Sequence, residues 1–177
     1  MSTFGGWVAN ETTTIFLIVD QSEQAQKAVD ALARIGIDTV EGVLVKGVEA
    51  WREQGLPIER LGTTSAQECA TLMQTQEVHV LDVRDDMEWE EKHIPGALHT
   101  YVGYLEEQLP QLPKTSPIVV HCTVGHRSAL AASILRRQGY TEVLNMLGGL
   151  TAWEKLGLPL EAAAKYKRTD CIRRGDR

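Results

Sequence analysis

Cysteine is scarce: Cys69, Cys122 and Cys171 are the three thiols in 177 residues. So sparse and odd a set excludes a disulfide scaffold, and each cysteine has to be read as a thiol. Also missing is any apolar run of the roughly 18 residues that a membrane-spanning helix requires. The apolar stretch Ile15 to Val19 follows no basic leader. Both absences lead to the expectation of a cytoplasmic protein with no membrane partner. Basic charge is not in excess either, since 18 Lys and Arg stand against 24 Asp and Glu, and the net charge of -6 argues against a nucleic-acid partner. Aromatic residues are only 6% of the chain, yet 43% is apolar without low-complexity runs. That content buries a real core and excludes disorder.

What is present first is an internal repeat. Gly47-Val48-Glu49-Ala50-Trp51 with Gly55-Leu56-Pro57 lines up with Gly149-Leu150-Thr151-Ala152-Trp153 and Gly157-Leu158-Pro159. Upstream, Ala28 to Gly36 matches Ala131 to Gly139, and Ile15 to Val19 matches Ile118 to Cys122. Each copy reads as a buried strand (Thr14 to Val19; Pro117 to Cys122), a helix ending at a glycine, a second strand (Val40 to Val45; Val143 to Leu147) and a short helix carrying the Trp. Strands alternating with helices predict right-handed βαβ units and a parallel sheet.

Only the second copy has more sequence in front of it. Thr64 to Gln74 reads as a helix with Ser65 and Glu68 at capping-box spacing, and Val78 to Val83 as a strand. Asp85 to Lys92 reads as a short acidic helix, and Tyr101 to Leu109 as another helix. The expected organisation is therefore a partial, cysteine-free unit over residues 1–61, a complete α/β module over 62–160 and a basic tail over 161–177. Their net charges are -4, -5 and +3. The tail, with Lys165, Lys167 and Arg168, reads as a solvated terminus.

The chemistry concentrates in Val119-Val120-His121-Cys122-Thr123-Val124-Gly125-His126-Arg127-Ser128, which puts a cysteine at the carboxyl end of a buried strand with a helix starting five or six residues on. Ligands bind outside such strand ends, where backbone N–H groups lacking intrahelical partners converge on an anion. A thiol there is pushed towards thiolate by the helix dipole, the amides and Arg127. Gly125 permits the tight path, Arg127 suits two-point oxyanion binding, and Ser128 suits a helix cap. His126 is placed at the loop mouth. His121, Cys122 and His126 do not make a metal site, because adjacent strand residues face opposite ways. Asp85, Asp86, Glu88, Glu90 and Glu91 read as a solvated face favoured by the helix dipole. Cys69, Trp51 and Trp153 read as core.

Leu81-Asp82-Val83-Arg84, Glu88-Trp89, His93-Ile94-Pro95-Gly96-Ala97, the Cys122 to Ser128 loop and Gly148 to Trp153 together resemble the rhodanese family of sulfurtransferases. The likeness runs through the whole of residues 62–160. It implies a rhodanese-like α/β fold, a parallel sheet flanked by helices, preceded here by an incomplete repeat in which Val19 or Asp20 stands at the place of Cys122 and Gln24 at that of Arg127. It also implies a persulfide mechanism: Cys122 takes the outer sulfur of a donor such as thiosulfate and passes it to a thiol or cyanide. Thr123, Val124, Gly125, His126, Arg127 and Ser128 then bind substrate, and Asp82 and Arg84 brace the strand end. No metal or organic cofactor is implied. A phosphatase family on the same fold has one more residue between its cysteine and arginine. The four residues from Thr123 to His126 make a tighter ring that suits a single sulfur.

A cysteine-free half repeat before an active one is similar to the C-terminal portion of persulfide dioxygenases that fuse a metallo-β-lactamase-fold domain to rhodanese domains. With no such catalytic domain in the sequence, the chain is not expected to oxidise persulfides itself. The expected partners are a small-molecule sulfur donor and a thiol acceptor, and a protein sulfur acceptor or persulfide dioxygenase; residues 1–61 are expected either to pair with the same segment of a second copy, the preferred reading, or to pack against residues 62–160. The rival expectation is a sulfur-carrier or docking module whose Cys122 is loaded by a partner enzyme.

Overall fold

In the computed structural model, which describes residues 6, 9–10, 12–75 and 78–162, the β-branched and aliphatic runs pair as parallel strands. The chain divides into two compact units, Met1–Arg60 and Leu61–Arg177. Cys171 and the basic cluster Lys165 to Arg168 lie outside the described residues.

In the first unit β1 (Ile15–Val19), α1 (Ser22–Ala33), β2 (Val40–Val45) and α2 (Gly47–Glu53) follow one another. β1 and β2 make a two-stranded parallel sheet, with Phe16 opposite Gly42 and Val19 opposite Val45. The buried residues described are few: Val19, Ala28, Leu32, Ile37 and Gly47. Ala28 and Leu32 lie four positions apart, on one face of α1. Among the described residues neither outer edge of this sheet has a partner strand, and Phe16 (69% exposed), Ile18 (52%), Val43 and Val45 meet solvent. The expectation that Trp51 packs in a core is corrected: it is 38% exposed, against 3% for Trp153. A two-stranded sheet has too little apolar surface to cover an indole. Even so, the Trp51 indole N–H donates to Pro57 O at 3.0 Å, as that of Trp153 donates to Pro159 O at 2.9 Å.

The second unit runs β3 (Gly62–Thr64), α3 (Ala66–Thr75), β4 (His79–Asp82), α4 (Asp86–Glu91), β5 (Leu98–His99), a 3-10 turn (Val102–Tyr104), β6 (Ile118–His121), α5 (His126–Arg137), β7 (Val143–Met146) and α6 (Gly149–Lys155). All five strands are parallel, in the order β3-β7-β6-β4-β5. Side chains alternate along each strand. Val80, Val119 and Met146 thereby reach Ala66 and Cys69 of α3 and Leu150 and Trp153 of α6, and α5 packs on β6 and β7. This is the α/β arrangement of a parallel sheet flanked by helices that the sequence predicts.

Local chemistry explains most boundaries. The capping box at α3 forms as its spacing predicts: Glu68 N donates to Ser65 Oγ at 3.1 Å, and Ser65 N donates to a Glu68 carboxylate oxygen at 2.8 Å. The helix expected over Tyr101 to Leu109 is instead one 3-10 turn followed by further turns. Its bonds run three residues back, Tyr104 N to Tyr101 O at 2.9 Å and Glu107 N to Tyr104 O at 3.0 Å. Val102 and Gly103 are weak helix formers, and Pro110 blocks continuation. No helix among the described residues is long and apolar enough to cross a membrane.

Candidate active site

β6 is the central strand, and all four of its residues are buried. A continuously apolar strand of this kind is covered on both faces, so only its carboxyl end is free to do chemistry. Cys122 sits there, 1% exposed. The chain then turns through Thr123 and Val124 to Gly125, whose φ of +111° only glycine adopts without strain, and α5 begins at His126. That start is one or two residues earlier than the sequence predicts. In consequence Ser128 is not the cap: Gly125 holds that place, and Ser128 lies inside the first turn, fully buried and turned to the thiol.

Two donors reach Cys122 Sγ: Gly125 N at 3.1 Å and Ser128 Oγ at 3.5 Å. Burial alone would raise the thiol's pKa. The Ser128 hydroxyl, followed by the amides of Ser128, Gly125 and Val124, favours the thiolate by more, and the net shift is downward. The one Ser128 hydroxyl proton serves either Cys122 Sγ or Asn145 Oδ1, which lies 2.7 Å from Ser128 Oγ, and Asn145 Nδ2 donates to Gly125 O at 3.3 Å. Asn145, on β7, thus ties the loop to the neighbouring strand. Sequence reasoning missed it; the signal was an amide in the otherwise apolar strand Val143–Met146.

A second tie comes from α6. Leu150 N donates to Cys122 O at 2.7 Å and Thr151 N to Thr123 O at 3.0 Å, so unpaired amides of the helix start hold the two loop carbonyls. Gly149 makes this approach possible. A Cβ there would lie 2.2 Å from Cys122 O and 2.8 Å from Thr123 C and O.

Arg127 feels the charge of Cys122, and its hydrogen bonds go to α4 and to Thr123. Its guanidinium meets the Glu88 carboxylate at two points, Nη1 to Oε2 at 2.5 Å and Nη2 to Oε1 at 2.7 Å. The Thr123 hydroxyl bridges both groups, donating to Glu88 Oε1 and accepting from Arg127 Nη2, each at 2.8 Å. Opposite charge favours the ionised form, and the Arg127 pairing pulls the Glu88 pKa down to about 2. The reading of Glu88 as part of a solvated acidic face is corrected accordingly. As the third residue of α4, with Asp85 at the N-cap, Glu88 closes a capping box whose other half is Glu88 N to Asp85 Oδ1 at 2.9 Å. The Asp-x-x-Glu spacing was the available signal. Trp89 fixes α4 beside the loop by stacking on His93 and His99, with ring centroids at 3.7 and 4.7 Å.

Asp82 and Arg84 form a buried pair: Arg84 Nη2 lies 2.6 Å from Asp82 Oδ2, and Nε lies 3.0 Å from each carboxylate oxygen. The same Nη2 donates to Lys92 O at 2.7 Å, which joins the end of β4 to the end of α4. His121 is buried behind Cys122, with Nε2 3.5 Å from Asp82 Oδ2. Burial lowers its pKa, against the attraction of Asp82 and with the help of Arg84. His126 and Val124 stand exposed on the loop. Cys69 is fully buried, and burial pushes its thiol up to about 11. Among the described residues no group of three His, Cys, Asp or Glu side chains is placed to hold a metal ion.

A parallel five-stranded sheet thus carries, beyond its central strand, a buried cysteine lined by hydrogen-bond donors. The Rhodanese-like domain matches residues 65–156, more than half of the chain, and the chain belongs to that family. Among its relatives, a sulfurtransferase of Allochromatium vinosum is 36% identical over 91 residues, which cover 51% of this chain and 85% of that protein. The thiosulfate sulfurtransferase GlpE of Coxiella burnetii is 35% identical over 83 residues, covering 47% and 78%. A crystal structure of a rhodanese-like domain protein from Staphylococcus aureus superposes with a TM-score of 0.53 at 25% identity, covering 59% of this chain and all of that one.

The Ser128 contact has a measurable consequence. Replacing Ser128 with Ala removes the foremost group that favours the thiolate, so the Cys122 pKa rises towards that of an ordinary thiol. Nucleophilic rate follows the thiolate fraction, and the acid limb of the pH–rate profile moves to higher pH. The expected loss relative to wild type is largest at neutral pH and shrinks as pH rises. A profile that drops uniformly at all pH values rejects this role.

Proposed function

We propose that the chain is a sulfurtransferase moving sulfane sulfur from thiosulfate or a low-molecular-weight persulfide to a thiol or cyanide through a persulfide on Cys122. The observation that supports it most is the Cys122 sulfur held by an amide and a hydroxyl at the end of the central strand, with its pKa lowered although it is buried. The names of the relatives agree with this chemistry.

The Cys122 thiolate attacks the outer sulfur of the donor. A new S–S bond forms to Sγ, while the bond from that sulfur to the rest of the donor breaks and its electron pair departs with sulfite or with a thiolate. No outside oxidant or reductant is needed. An acceptor thiolate or cyanide then attacks the outer sulfur, giving a new persulfide or thiocyanate and restoring the Cys122 thiolate. The backbone N–H groups from Val124 to Ser128 stabilise the charge on sulfur at both stages, and Thr123, His126 and Arg127 form the rim that meets the donor. Asp82 and Arg84 hold the strand end and touch no reacting atom.

Intact mass measurement after exposure to thiosulfate, glutathione persulfide or cysteine persulfide tests this reading. One added sulfur on Cys122, followed by turnover with cyanide, supports it; an adduct on Cys69 or Cys171 instead rejects it. Loading without turnover supports the carrier alternative, with a persulfide dioxygenase or a protein acceptor as partner.

For residues 1–61 we keep the proposal of a two-fold dimer, motivated by the open sheet edges and the exposed Phe16, Ile18, Val43 and Val45, since unpaired strand edges template association. Light scattering on the full chain is expected to give twice the chain mass. A monomer ends the proposal.

A further inference from the structure

Arginine at a cysteine loop invites the assumption that it grips the donor's oxyanion, but here the guanidinium is already engaged. Both terminal nitrogens of Arg127 lie on the Glu88 carboxylate, and one also meets the Thr123 hydroxyl. A two-point pairing matches the planar fork of arginine and leaves it little capacity for a second anion on the same edge. Asp85 adds a second carboxylate to the field that Arg127 feels. The nearby Lys92 pairs elsewhere, with Glu154 at 2.5 Å. Around Cys122, the Arg127 cation is thus set against the carboxylates of Glu88 and Asp85 and against the cysteine sulfur. Thiosulfate brings two more negative charges and releases sulfite, whose oxygens need donors. A persulfide donor carries no sulfonate and leaves as a thiolate.

Resting on the sulfurtransferase reading above, we infer that Glu88 sets the donor choice of the Cys122 cradle: by holding the Arg127 guanidinium it biases the site against thiosulfate and towards persulfide donors. Glu88 touches neither the sulfur nor the thiolate and acts through Arg127; it is a specificity-determining residue. The pair also persists through the working pH range, since the carboxylate stays ionised down to a pKa of about 2.

Glu88→Gln is the discriminating variant. With its one oxygen in the place of Oε2, glutamine keeps the bond from Asp85 N that closes the capping box, its amide nitrogen donates to the Thr123 hydroxyl oxygen, and it removes the charge that holds Arg127. The ratio of kcat/KM for thiosulfate over that for glutathione persulfide is expected to rise at least about tenfold, equivalent to about 1.4 kcal/mol. A second readout needs no turnover: sulfite is expected to bind the Cys122→Ser, Glu88→Gln protein at least about tenfold more tightly than the Cys122→Ser protein by calorimetry, the same coupling read at equilibrium. An unchanged ratio, or an equal loss with both donors, overturns the inference, as does unchanged sulfite affinity.

Glu88→Asp gives an independent check should the Gln variant fail to fold. Its carboxylate keeps the charge but is one methylene short of the two-point pairing with Arg127, so the ratio rises in the same direction if holding the guanidinium is what counts. An unchanged ratio shows that Glu88 does not withhold Arg127, and also overturns the inference. If wild-type protein is loaded by neither donor, the sulfurtransferase reading fails, while the sulfite measurement still decides whether Glu88 withholds Arg127 from anions.

Discussion

Cys122→Ser is expected to reduce sulfur transfer at least about a thousandfold, as removal of an essential nucleophile does elsewhere, with melting essentially unchanged. A hydroxyl accepts the same hydrogen bonds from Gly125 N and Ser128 Oγ that Sγ accepts now, so the loop keeps its conformation. It does not ionise near neutral pH and forms no persulfide. Steady-state kinetics with cyanide as acceptor, together with calorimetric melting, separates the two effects. Residual activity within about tenfold of wild type places the chemistry on another group.

Gly149→Ala is expected to be the most damaging single methyl in the second unit. The φ of Gly149 is +51°, and its Cβ would fall 2.2 Å from a backbone carbonyl oxygen, which cannot rotate away as a side chain does. Relief requires moving α6 or the Cys122 loop, which breaks the Leu150 and Thr151 amide bonds to that loop. A cost of about 3–5 kcal/mol is expected, at the upper end for a point change. A catalytic loss near 10²-fold accompanies it, because displacements of about 1 Å are that costly in an oriented site. Gly157→Ala provides the control, since Gly157 also has positive φ (+65°) but nothing within 4 Å of its Cβ position. It should show only the backbone penalty of about 1–2 kcal/mol. Equal melting of the two variants rejects the close-approach argument.

The α/β class and the place of Cys122 were legible because both follow from local rules. Buried parallel strands are continuous apolar runs, as in Ile118 to His121 and its apolar neighbours, and a cysteine at the end of such a run precedes a helix start. Part of what failed depended on a partner distant in sequence. Glu88 and Arg127 are 39 positions apart, and no periodicity links them. Ser128 and Asn145 are likewise joined only across β6 and β7. Ser128 read as a cap because serine favours that role in general, whereas the positive φ of Gly125 starts the helix earlier and turns the hydroxyl inward. Over Tyr101 to Leu109 the reading as a helix passed over Gly103 and Pro110, which forbid a long helix there. Trp51 read as core by analogy with Trp153, although burial depends on how many strands stand behind the ring.

The near-complete enclosure of Cys122 sets the shape of whatever reacts there. Cys122 is 1% exposed and wrapped by its own loop, so in the proposed cycle donor and acceptor alike must reach the sulfur with a narrow end. The proposed persulfide would extend the side chain by a single S–S bond of about 2 Å, and a slender thiol presented end-on is then expected to be the better acceptor, a thiol recessed in a broad, rigid surface the poorer one.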